Sequence, residues 1–125
     1  MQITTSQKGN FNHTIKFLEI SQKVTSNINL DNYGQRGVDA LVAATPIESG
    51  LTASSWYYRV IRDNKKVSLN FYNSNVQNGV PIAIVIQYGH ATRNGGWVEG
   101  QDYINPAIQP IFDEISEAIR MEVSS

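Results

Sequence analysis

The stretch "AATPIESGLTASSW", Ala43 to Trp56, narrows the possible folds more than any other part of the chain. A helix-compatible run leads into it, and Pro46 disfavours helical geometry at the residue before it, so the helix should end at Thr45. Ser49-Gly50 has turn chemistry, small and polar residues follow, and an aromatic run begins at Trp56. A change from helical to strand-like patterning across one short corner implies a helix handing over to a sheet. Within the corner, Ser49 is expected to accept a backbone hydrogen bond. Gly50 is expected to take a backbone angle closed to other residues, while Ala53, Ser54 and Ser55 stay small where the chain crosses its neighbours.

Periodicity fills in the elements on either side. From Phe11 to Val24, Phe11, Ile15 and Leu18, with Phe17, Ile20 and Val24 slightly rotated, recur at helical spacings and predict a helix. Asn27, Asn29, Asp31 and Asn32 interrupt it, after which Leu30, Tyr33, Val38, Leu41 and Val42 predict a second helix. Gly34 and Gly37 each cost about 1 kcal/mol against alanine in a helix, so this one should begin near Gly37 or bend there. "WYYRVI" and "VSLNFY" are rich in aromatic and β-branched residues and read as two strands. The polar "RDNKK" between them forms a hairpin turn, with Arg59, Arg62, Lys65 and Lys66 at or near its tip. "IAIVIQY", Ile82 to Tyr88, is short and β-branched and reads as a further strand, followed by a glycine-rich loop that carries Trp97. Ile104, Ile108, Ile111, Phe112, Ile115, Ile119 and Val123 then predict an amphipathic C-terminal helix. Pro106 suits its first position, and Pro110 implies a short turn or a kinked start. The fold class is α+β: N-terminal helical segments, a small antiparallel sheet with a basic hairpin, and a long C-terminal helix packed on the sheet.

With 125 residues, 41% hydrophobic and 17% charged, the chain fits one domain over residues 1–125, with 1–10 and 121–125 expected as flexible tails. It has no cysteine, which removes disulfides and thiolate zinc sites, and no run long and apolar enough for a membrane span or signal peptide. These features predict a soluble, cytosol-made protein with no membrane partner. A net charge of −1 gives no long-range attraction to nucleic acid as a whole. The charges are nonetheless segregated, basic in the hairpin and acidic after Glu99.

Little of the sequence supports catalysis. His13 and His90 are the only histidines, and His90 with Glu99 and Asp102 matches no defensible ligand spacing. Ser54 and Ser55 lack the glycine-flanked setting of a nucleophile, and "RNGG" lacks the lysine and hydroxyl residue of a phosphate loop. No nucleophile, base and stabiliser set emerges, so no enzyme, cofactor or metal is predicted.

The order of the parts is more informative. "ATPIESGLTASSW" resembles the Thr-Pro-apolar-x-Ser/Thr-Gly-x-x-x-x-Ser segment of the head-tail joining, or tail-completion (neck), proteins of long-tailed bacteriophages. In that family a helix precedes the motif, two strands and an apolar segment ending in Tyr-Gly follow, and a Pro-Ala step opens the last helix. Here Thr45, Pro46, Ser49, Gly50, Tyr88, Gly89 and Pro106 stand in that order, and the resemblance runs from about Val38 to Ile115. Leu51 and Thr52 replace a basic residue usual after the motif glycine, and His90 replaces a hydroxyl residue.

The resemblance implies a structural virion protein at the head-tail junction, made in the host cytoplasm. It would form a ring, commonly six-fold, between the capsid connector and the tail, with genome DNA in the lumen as a further candidate partner. Tail terminators and minor capsid proteins are near neighbours of this reading, and a small nucleic-acid-binding module is the alternative outside phages. A head-to-tail ring needs two different patches per chain. The expected ones are Arg59, Arg62, Lys65 and Lys66 on one side and Glu114 and Glu117 on the other. His90, Arg93 and Trp97 are expected to dock on axial partners.

Overall fold

A computed structural model describes residues 3–7, 16–21 and 28–124. Its centre is a four-stranded antiparallel sheet in the order β1-β2-β4-β3, formed by β1 (Ile3–Gln7), β2 (Lys16–Ser21), β3 (Trp56–Arg62) and β4 (Lys66–Asn73). Helix α1 (Leu30–Ala44) lies against β3, β4 and α4 (Ile104–Ser124). The fold is therefore α+β, with the C-terminal helix packed on the layer that contains the sheet.

The core explains this arrangement. Leu18, Ile20, Val67, Leu69 and Phe71 line one face of the sheet and are fully buried with Ile104, Ile108, Ile115 and Ile119 of α4. Phe71 meets Phe112 at 6.1 Å between ring centroids. The α4 residues recur every three or four positions, which puts them on one helix face as the sequence predicts.

Helix α1 begins at Leu30, where the Asn29 side chain accepts from the Asn32 backbone N–H at 3.0 Å. It includes Gly34 and Gly37 within one continuous helix, and both glycines are buried. A methyl group at Gly34 would clash with the Tyr58 ring, lying 2.6 Å from its Cε2, and one at Gly37 would lie 2.5 Å from Phe71 Cε1 and 2.9 Å from Ile108 Cδ1. The glycines that argue against helix by propensity are thus the positions where the helix must approach the sheet most closely.

Two expectations fail for identifiable reasons, and the start of α4 differs in detail from the one expected. Within the expected helix Phe11–Val24, residues Lys16–Ser21 form strand β2, paired with β1 and β4; the remainder lies outside the described residues. Leu18 and Ile20 satisfy helical spacing with their neighbours, but they also alternate with Phe17, Glu19 and Ser21, and the sheet uses that period of two. Ile82–Tyr88 is a helix, α3, and not a strand. Its two buried residues, Ala83 and Gln87, are one helical turn apart. Helix α4 continues unbroken through Pro110, with Pro106 at its third position instead of its first.

Of the two expected tails, Ile3–Gln7 pairs with β2 along its length, and α4 runs to Ser124. Among the described residues no helix is long and apolar enough to cross a membrane.

Candidate functional site

The corner after α1 is built from the motif. Thr45 caps the helix with its backbone N–H donating to the Leu41 carbonyl at 3.0 Å, and its hydroxyl donates to the same carbonyl at 2.6 Å. The hydroxyl oxygen also accepts from the Trp56 indole N–H at 2.9 Å, and both residues are buried. This bond ties the end of α1 to the start of β3 across eleven residues. Thr45 therefore anchors the corner, a role that sequence reasoning gave only to its neighbours.

Between these anchors the chain passes through a 3-10 turn, Ile47–Ser49, and a short helix α2 (Gly50–Ala53). Gly50 has φ −54° and ψ −39°, ordinary helical values, and the space around it is open. It is not the special backbone position expected from the sequence. Ser49 makes no side-chain cap; its backbone N–H donates to the Pro46 carbonyl at 2.9 Å. Ser54 and Ser55 instead fold their hydroxyls back onto the Leu51 carbonyl. Buried Thr52 accepts from Asn75 through its hydroxyl and from Asn73 through its carbonyl, both at 2.8 Å. With its polar groups satisfied inward, the corner holds Ile47 outward at 96% exposure and Leu51 at 61%.

The basic hairpin forms as expected. Asp63 closes its tip, its carboxylate accepting from the backbone N–H groups of Lys65 at 2.8 Å and Lys66 at 2.7 Å. These two bonds hold the Asp63 carboxyl below its usual pKa. Arg62, Lys65 and Lys66 are at the tip, but Arg59 is not. It pairs with Asn70, three residues back along β3, and its guanidinium lies 5.6 Å from the centroids of both Tyr57 and Tyr72. Those rings stack on each other at 5.0 Å. Lys66 pairs with Glu19 at 3.7 Å; no ion pair joins Arg59, Arg62 or Lys65 among the described residues.

The acids of α4 are already engaged within the chain. Glu114 pairs with Arg36 of α1, and Glu117 pairs with Arg120. All four side chains are substantially exposed, so these contacts contribute little to stability.

The expected glycine-rich loop is largely a second hairpin, with β7 (Gly89–Ala91) paired to β8 (Trp97–Glu99). Two earlier short strands, β5 (Val76–Gln77) and β6 (Val80–Pro81), make a third. The β7–β8 turn is closed by the Thr92 N–H donating to the Gly96 carbonyl at 2.9 Å and by the Thr92 hydroxyl accepting from the Gly96 N–H at 3.0 Å. Gly89 has φ +82°, and a side chain there would strike the Val98 carbonyl and the Gly100 amide. The Tyr-Gly step thus marks a position that needs glycine. Trp97 is 57% exposed, and His90, Arg93, Tyr88 and Val98 are exposed with it.

The residue that reasoning from the sequence missed is Gln87. Its carbonyl oxygen accepts from the N–H groups of Tyr103 at 3.1 Å and Ile104 at 2.9 Å, while its amide donates to Asp102 at 2.6 Å. A side chain from α3 thereby satisfies the free amides at the start of α4. Tyr103 adds a bond to the Ala83 carbonyl at 2.8 Å, and burial pushes its phenol pKa up. A lone polar residue at the end of an apolar run was the available signal.

Among the described residues no group of histidine and acidic side chains is placed to hold a metal, and His13 lies outside them. The side chains brought together form surfaces: the Ile47–Leu51 corner, the basic hairpin with its aromatic stack, and the Trp97 hairpin. No protein-family model, curated protein or solved structure matches the chain.

Proposed function

We propose that this chain is a structural virion protein of a long-tailed bacteriophage, joining head to tail as a ring between the capsid connector and the tail. The observation that carries the reading is the corner. A buried Thr45–Trp56 bond fixes a short segment whose two aliphatic side chains, Ile47 and Leu51, are held in solvent. Exposing aliphatic area on a rigid frame stabilises nothing in the free subunit, whereas a partner with a matching apolar recess gains about 25 cal/mol for each Å² covered. The motif that gives the resemblance is thus suited to present a contact to another protein.

The other two surfaces fit the same role. The exposed Trp97 on a closed hairpin can anchor in a partner, as large aromatics at interface centres do. The hairpin cations Arg62 and Lys65 make no ion pair among the described residues, and their charged ends are available to a neighbouring subunit, to another virion protein or to DNA in the ring's lumen. Acidic partners on a neighbouring α4 would have to compete with Arg36 and Arg120 for Glu114 and Glu117. Asp113 accepts from Gln109 and makes no ion pair among the described residues, so it is the less encumbered acid.

The test is a joining assay in the virus that encodes the chain. Ile47→Asp with Leu51→Asp should leave a folded protein that no longer connects filled heads to tails. Normal joining by that variant would remove the corner from the contact.

A further inference from the structure

We propose that copies of this chain join by sheet extension, with the edge of β3 in one copy pairing antiparallel with the edge of β1 in the next, both edges being unpaired among the described residues. The inference rests on the ring reading above and specifies the contact that closes it.

The pairing pattern identifies the available groups. Ser74 donates to the Ser55 carbonyl at one end of the β3–β4 ladder, and Asp63 donates to the Lys66 carbonyl at the other. In an antiparallel pair the bonded residues alternate, so Tyr57, Arg59 and Ile61 direct their backbone groups toward β4. Trp56, Tyr58, Val60 and Arg62 direct theirs outward, and β4 is the only strand paired with β3 among the described residues. The same alternation carried through β2 leaves the backbone groups of Ile3, Thr5 and Gln7 pointing outward from β1.

Strand number decides how such edges fit. All neighbours in the four-stranded sheet are antiparallel, so its two edges also run antiparallel to each other. When the sheet of one copy continues into the next, β3 meets β1 in the antiparallel sense, without inverting either subunit. Two different edges make a head-to-tail contact, which closes into a ring if the rotation allows. The β3 edge has seven residues with no proline, and its register against β4 is unbroken, so neither proline nor a bulge blunts it and charge is what guards it along the strand. Charge also selects the partner. Pairing two β3 edges over their full length would set Arg59 directly opposite the Arg59 of a second copy, a destabilising juxtaposition. The β1 segment "ITTSQ" carries no charge.

The chain has no cysteine, so single introduced thiols report the contact cleanly. Thr5→Cys and Val60→Cys proteins, mixed at high concentration and treated with a short bis-maleimide, should give mixed dimers. The doubly substituted chain should give a ladder ending at the ring. Val60→Pro removes an outward N–H without breaking a bond to β4, and Val60→Ala controls for the core packing that the valine side chain supplies; the proline variant should match the alanine variant in circular dichroism and melting temperature while its self-association is weaker by at least about tenfold. Cross-linking of Val60→Cys to itself would overturn the proposal in favour of two-fold pairing. Rings seen by electron microscopy without mixed cross-links would overturn edge pairing and leave the ring reading standing. No self-association up to millimolar protein would reject both. Should Val60→Pro fail to fold, the cross-linking result decides alone.

Discussion

Replacing Gly37 by alanine puts the packing of α1 on the sheet to a direct test. By intrinsic propensity the change should stabilise the helix by about 1 kcal/mol. The added methyl would lie 2.5 Å from Phe71 Cε1 and 2.9 Å from Ile108 Cδ1. Both neighbours are fully buried, and the Phe71 ring is held against Phe112, so neither offers a loose end that can retreat. Overpacking of a filled core typically costs about 1–3 kcal/mol, and a rigid aromatic neighbour places this site at the upper end. The net effect is a loss of about 2 kcal/mol, or about 6–10 °C in melting temperature for a domain of this size. Gly34→Ala, which faces the Tyr58 ring, should lose stability in the same way. Gly50→Ala is the internal control: helical backbone angles and open space predict a gain of about 0.4–1 kcal/mol. Urea unfolding of the three variants measures the pattern. A Gly37→Ala protein as stable as the parent would refute the close approach of α1 to the sheet.

Thr45→Val keeps the shape of the corner but leaves the buried Trp56 N–H without its acceptor; a loss of about 1–3 kcal/mol and a changed tryptophan emission are expected in denaturant titrations. The Asp63 pKa is depressed in the folded state, so its contribution to the hairpin tip is present above the unfolded value, 3.8, and is lost as pH falls through the lower folded value. The amide resonances of Lys65 and Lys66 should therefore hold constant down to the ordinary carboxylate range and shift only below it, and Asp63→Asn should abolish the titration. Ile47→Asp with Leu51→Asp should change stability by less than about 0.5 kcal/mol per site, since both side chains are exposed, and a melting temperature well below the parent's would show that they are packed.

What was legible in the sequence follows the range of the forces involved. Local signals located α1, the β3–β4 hairpin and α4, because capping, turn chemistry and a wide apolar stripe act within a few residues. Pro46 ended α1 as its steric effect requires. The misread elements are those whose conformation is set by distant partners. "KFLEIS" is a strand because β4 and β1 flank it. "IAIVIQY" is a helix that brings Gln87 to the first amides of α4, sixteen and seventeen residues away. Gly34 and Gly37 looked like helix breakers until the rings of Tyr58 and Phe71 were seen against them.

The candidate surfaces show the same division. The basic hairpin and the exposed tryptophan were readable from residue type, whereas the roles of the motif residues were not. Thr45 anchors the corner through a side chain eleven residues away, and Gly50 is in ordinary helical geometry. The partners of Glu114 and Glu117 inside the chain also required the tertiary arrangement, since Arg36 meets Glu114 across 78 residues.

Deleting the gene from a long-tailed phage whose genome encodes the chain, which the proposal requires to exist, tests the central claim most directly, with the lysate viewed by electron microscopy. The head-tail joining account predicts DNA-filled heads and complete tails that remain separate, rescued when the intact chain is supplied and not by the Ile47→Asp, Leu51→Asp variant. Normally joined particles in the absence of the chain would contradict it.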